Sequence, residues 1–231
     1  MTSPLQGIYL LADSRALFAV DAGRPLVRTM CDALGRDRPS AAYIGAANGD
    51  EPAFFSIFEA AMDLAGVEER RMIRADCASD DAAFLRSADI ILLAGGDAGR
   101  GWRAMRAASM PEILRERYAA GAVLVGISAG AALLGERGWD GDDPEHLDVF
   151  DALGLVPWTV DAHDETNAWR RLKRVIAMAG LGARGLGLPA GSGVVCHPDL
   201  SLEPIQRSVV EVLATGDDHT ETLLTPATRT V

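Results

Sequence analysis

Residues 121–135 read Gly121-Ala-Val-Leu-Val-Gly126-Ile-Ser128-Ala-Gly130-Ala-Ala-Leu-Leu-Gly135. An apolar run, Ala122 to Val125, enters Gly126-Ile127-Ser128-Ala129-Gly130, and helix-forming alanines and leucines follow. The order is strand, tight turn, helix, with a serine at the tip and a glycine two residues to either side, the pattern of a nucleophile elbow. A serine in such a turn is held in a strained conformation and crowded by the next turn of chain. Glycines at 126 and 130 remove that crowding. The amide of Ala129 then falls on the side of the serine hydroxyl, where it can stabilise an oxyanion. The same five residues also make a plain small-residue turn, and it is the strand before and the helix after that favour chemistry.

Upstream, short apolar runs alternate with helical patterns. Gly7–Ala12, Ala41–Ala46 and Asp89–Ala94 read as buried strands, and 67–73 holds a further one. Leu26, Met30 and Leu34 share a helical face within 24–35, which Gly35 ends. Pro52 starts a helix that runs to about Leu64 and stops at Gly66. A short helix runs from Asp80 and Asp81 to Ser87, another carries Trp102 and Met105, and Pro111–Ala120 precedes the serine strand. This alternation predicts an α/β fold with a doubly wound, mainly parallel sheet. In such sheets ligands sit at the carboxyl ends of the strands. Ala47-Asn48-Gly49-Asp50, Gly95-Gly96-Asp97 and Ser128 all fall there, so they should share one crevice.

Downstream, 136–148 is polar and rich in Asp and Gly. Trp158–His163 ends a strand, and a basic helix spans about 167–179. Arg184–Leu188 and Gly193–Cys196 read as strands. Segments 207–213 and 220–224 form a C-terminal β-hairpin around Gly216-Asp217, and 226–231 is a frayed tail. No internal repeat or linker divides the chain, so 1–231 is expected to be one α/β hydrolytic domain.

The formal net charge is −11 and no long Lys/Arg run occurs, which argues against a nucleic-acid partner. No apolar run reaches membrane-spanning length and no signal peptide is evident, so a cytoplasmic protein with no membrane partner is expected. Cys31, Cys77 and Cys196 are odd in number and widely spaced, reading as free thiols and not as a disulfide framework or metal site. No metal or other cofactor is called for, and a homodimer is compatible with the sequence.

A serine nucleophile needs a base and a group to orient it. Of His146, His163, His197 and His219, His163 is favoured because it ends a strand in a polar loop. His146 is the rival, and either could be an ordinary surface histidine. Asp140, Asp142, Asp143 and Glu145 lie between Ser128 and His163, and most must be solvated loop charges. Gly96 can supply a second oxyanion amide, since glycine allows the backbone to approach a reacting carbonyl.

Taken together, five segments resemble the peptidase E (aspartyl dipeptidase) and cyanophycinase family of serine peptidases. They are Ile91–Asp97, Gly126–Ala131, Phe150–Pro157, Val160–His163 and Gly187–Gly191. The resemblance spans roughly residues 7–225. It implies a fold similar to the class I glutamine amidotransferase (flavodoxin-like) domain, a Ser-His-acid triad and no metal. It assigns Ser128 as nucleophile, His163 as base, and the amides of Gly96 and Ala129 as oxyanion donors. Asp143 is the acid if the loop after the serine aligns without gaps, and Asp140 or Asp142 if it does not. Arg171 matches the arginine that reads an acidic substrate side chain, with Asp97 beside the substrate. The implied activity is hydrolysis of short peptides, dipeptides with an N-terminal aspartyl or isoaspartyl-type residue. Three departures bear on the substrate: Gly95-Gly96-Asp97 looks like the cyanophycinase branch, Ala190 stands where an acidic residue is usual, and the segment after His163 is shorter than in peptidase E. The competing readings are a cyanophycinase-like exopeptidase, an esterase of the α/β-hydrolase type, for which little chain remains after Ser128, and a non-catalytic small-molecule-binding domain.

Overall fold

The computed structural model describes residues 4–21, 23–216 and 218–227; Asp217 of the expected hairpin turn and 228–231 of the expected tail lie outside them. In chain order come β1 (Ile8–Leu11), β2 (Val20–Asp21), β3 (Arg24–Pro25), α1 (Leu26–Leu34), β4 (Ser40–Ile44), α2 (Pro52–Ala65), β5 (Glu69–Ile73), α3 (Ser79–Leu85) and β6 (Ile90–Leu93). Then follow α4 (Ala98–Ala107), α5 (Met110–Ala119), β7 (Val123–Ile127), α6 (Ala129–Leu134), β8 (Arg137–Asp140), β9 (Asp148–Asp151) and β10 (Thr159–Ala162). The chain closes with α7 (Arg170–Ala179), β11 (Arg184–Leu188), β12 (Gly193–Cys196), β13 (Leu202–Ile205), β14 (Val209–Ala214) and β15 (His219–Leu224).

The central sheet has the order β13-β12-β1-β7-β6-β4-β5. The strands from β1 to β5 in that order run parallel, and β12 and β13 are antiparallel at the other edge. β1, β6 and most of β7 are apolar at every position because helices cover both faces. Strand side chains alternate between the faces, so the two cores can be read off by parity. Ile8, Leu10, Ile44, Ile91 and Leu124 pack with Trp102, Met105, Ile113 and Leu133 of α4–α6. Tyr9, Leu11, Tyr43, Leu92 and Val125 pack with Val27, Met30, Phe58 and Met62 of α1 and α2.

A second sheet, β10-β11-β14-β15, packs on the α6 side. β10 and β11 are parallel, and the C-terminal hairpin β14–β15 extends this sheet, not the central one. The polar stretch after α6 is itself an antiparallel pair, β8–β9. The basic helix α7 begins at Arg170, one turn later than the sequence suggested, because Ala168 (φ 53°) and Trp169 (φ 60°) are left-handed. Trp169 is buried there against Gly187, where a Cβ would lie 2.6 Å from its ring. Among the described residues, no helix is long and apolar enough to cross a membrane.

Candidate active site

Ser128 joins β7 to α6 with φ 50° and ψ −111°, a region L-residues rarely occupy. Such a residue costs about 1–3 kcal/mol and persists only where its surroundings enforce it. They do so here. The Ser128 amide donates to Leu11 O at 2.8 Å, and the Ala132 amide donates to Ser128 O at 3.1 Å. A Cβ on Gly126 would lie 2.6 Å from Ala131 Cα, and one on Gly130 would collide with the Leu93 carbonyl. Both glycines are therefore required by the close passage of α6 over β6 and β7.

The other two turns meet the serine. A Cβ on Gly95 would be 3.4 Å from Ser128 Cβ. Gly96 has φ +141°, and a side chain there would strike the Ala47 carbonyl. The Asp97 amide donates to that carbonyl at 2.9 Å, fastening the β6 turn to the β4 turn. The Asp97 carboxylate accepts from the Arg100 amide at 2.6 Å and so caps α4. Gly96 and Ala129 flank Ser128 in one cavity, and among the described residues their amides donate to no other group.

The second sheet brings His163. It follows β10 with φ 63°, its amide donates to Leu188 O at 3.1 Å, and its exposed ring lines a cavity with Ser128. Among the described residues its ring nitrogens make no hydrogen bond. Catalytic hydrogen bonds often form only once substrate is bound.

The acids of the β8–β9 loop have separate partners. Asp143 is engaged by His146 (Nδ1 to Oδ2, 2.8 Å), at a site where both side chains are mostly exposed. That bond lowers the Asp143 pKa and raises that of His146. Asp140 takes Arg103 at 3.0 Å and its own neighbour's amide, Gly141, at 3.0 Å. Asp142 is fully exposed and pairs with Arg171 at 3.1 Å. Of the three, Asp142 shares a cavity with His163. His197 pairs with Glu203 and His219 with Glu221, away from Ser128.

Arg171 lies on the first turn of α7, half in the crevice. Besides Asp142 it reaches Asp164 at 3.4 Å and Asp161 at 3.8 Å, both nearly inaccessible. Oδ2 of Asp161, Oδ2 of Asp164 and Nε of Arg171 are buried with no hydrogen-bond partner among the described residues. Burial pushes the Asp161 carboxyl up to about 7; the Arg171 charge opposes this and Asp164 adds to it. Asp161, inside the segment Val160–His163, and Asp164, directly after it, are not among the residues singled out by the sequence, where the only signal for them is their closeness to His163. Asp97, Asp140, Asp142, Asp161 and Arg171 line a chamber of about 370 Å³ with Ser128. Four acidic side chains against one guanidinium make it an acidic chamber, with Arg171 the one cationic side chain among the described residues that line it.

Residues 11–199 match peptidase family S51. A peptidase from an acI-B1 Actinobacterium has a similar structure (TM-score 0.72, 14% identity, 96% of this chain and 95% of that one). So does a candidate peptidase E protein from Listeria monocytogenes EGD-e (TM-score 0.56, 15% identity, 96% and 100%). At these identities the likeness establishes the fold. No curated protein matches the sequence.

Proposed function

The chain belongs to peptidase family S51, and from that premise we propose that it is a serine peptidase acting on short peptides. Ser128 Oγ attacks the scissile carbonyl. His163 takes the hydroxyl proton and returns it to the leaving amine. The developing oxyanion is received by the amides of Gly96 and Ala129. Water, activated by the same histidine, then resolves the acyl-enzyme. Asp142 is the acid we assign to orient His163, since it shares a cavity with that ring while Asp143 is held by His146.

The acidic chamber suits the acyl-side residue. Its carboxylates would hold a free N-terminal ammonium. Arg171 would take an aspartyl or isoaspartyl carboxylate in place of the exposed Asp142, in the bidentate way a guanidinium allows. The observation that carries the proposal is Ser128 at φ 50°, ψ −111°, held between two glycines and facing a cavity it shares with His163. The test is hydrolysis of aspartyl dipeptides by Ser128→Ala and His163→Ala. Each should lower kcat by roughly 10³- to 10⁶-fold, while His146→Ala should not. Unchanged turnover by Ser128→Ala would overturn the mechanism.

A further inference from the structure

A second cavity of about 200 Å³ reaches Ser128, and the chemistry above leaves it without an occupant. Its walls are Leu17, Tyr43, Phe54, Ile57, Phe58 and Leu92. Leu17, Phe58 and Leu92 are fully buried, and Phe54 stands half-exposed on α2. Away from the Ser128–His163 end, Tyr43, Asn48 and Asp13 border it with polar groups that are already engaged. The Tyr43 hydroxyl accepts from Asn48 Nδ2 at 2.9 Å, and the Asp13 carboxylate accepts from Arg15 and from the Gly191 amide. Tyr43 also packs edge-on against Phe55 at 5.5 Å and tilted on Phe58 at 5.4 Å, so the wall is stiff. An apolar, preformed cavity of this size accommodates one large side chain.

Its place relative to the scissile bond follows from which residues each cavity shares. Ser128 and Gly96 line both this cavity and the acidic chamber, so the reacting carbonyl belongs at their junction. Ala129, the other oxyanion amide, lines the acidic chamber alone; His163 lines the apolar cavity and not the chamber. A histidine that returns its proton to the leaving amine must sit on the leaving-group side. We infer that the apolar cavity receives the side chain of the residue just after the scissile bond, and that the enzyme selects large apolar residues such as leucine or phenylalanine there. This assignment rests on the serine-peptidase reading.

The test is a series of aspartyl peptides in which that residue is Gly, Ala, Leu, Phe, Lys or Glu. Filling an apolar pocket is worth at least tenfold in kcat/KM, so Leu and Phe should exceed Gly by that factor or more, with Lys and Glu lowest. Ile57→Trp, which fills the cavity, should lower the Phe-to-Gly ratio at least tenfold. Phe54→Ala, an exposed rim change, should lower it by less. A flat series, a preference for Lys or Glu, or ratios unmoved in both variants would overturn the assignment. Failure to cleave any member would overturn it too, and fluorophosphonate labelling of Ser128 would then tell whether the serine-peptidase reading falls with it.

Discussion

Replacing Asp161 with asparagine should change how stability depends on pH. The Asp161 side chain is 6% exposed, accepts one backbone bond from Ala162 at 2.9 Å, and has Oδ2 buried without a partner. Burial raises its pKa from 3.8 to about 7. The folded value is above the unfolded one, so this group's stabilisation is complete below about pH 4 and is lost as pH rises toward 7. Between those limits the folded state binds the extra proton, and the slope of stability against pH is negative. The interval is worth about 4 kcal/mol at 1.36 kcal/mol for each pH unit. Asparagine has nearly the same shape and cannot ionise, so it removes this loss. Urea unfolding of both proteins at pH 5 and pH 8 measures it. Relative to the wild type, Asp161→Asn should gain about 3 kcal/mol on going from pH 5 to pH 8, because only the two units between pH 5 and the folded value near 7 fall inside that range. An equal difference at the two pH values would refute the reasoning, because Asp161 would then be ionised at both.

Three further outcomes are expected. Asp142→Asn should lower kcat at least tenfold while Asp143→Asn leaves it near wild type; the opposite ranking, read by steady-state kinetics, would return the orienting role to Asp143. Arg171→Met should weaken kcat/KM for an aspartyl dipeptide about 30- to 1000-fold more than for a neutral one. It should also destabilise the fold by about 3 kcal/mol or more, because Asp161 and Asp164 lose their counter-charge; equal losses on both substrates would limit Arg171 to the structural part. Ser128→Gly should be about 1 kcal/mol more stable to urea than Ser128→Ala, since glycine relieves the φ 50° strain that alanine keeps; a less stable glycine variant would argue against stored strain.

The central sheet was legible because its strands are buried on both faces and so appear as unbroken apolar runs, as in Ile90–Leu93. The helix α2 was legible at both ends, from Pro52 at its start to the left-handed Gly66 at its stop. The β8–β9 pair was not. Arg137, Asp140, Asp148 and Asp151 hide its period, and it is held by tertiary packing: Phe150 stacks on Trp102 at 6.0 Å and lies over Gly138. In the site, Ser128, Gly96, Ala129 and His163 could be read because each follows a strand. The surroundings of Arg171 could not, since Asp142 comes from the β8–β9 loop and Asp161 and Asp164 from the end of β10, segments that only the tertiary fold brings to α7. The apolar cavity is likewise built from residues 17, 43, 54–58 and 92, whose spacing carries no common pattern.

The central claim is that Ser128 is an activated nucleophile, and a fluorophosphonate tests it without knowledge of the substrate. The protein would be treated with the reagent, digested, and mapped by mass spectrometry. The account predicts one adduct per chain, on Ser128, forming far more slowly in His163→Ala. An unlabelled Ser128, or labelling that ignores the loss of His163, would contradict it.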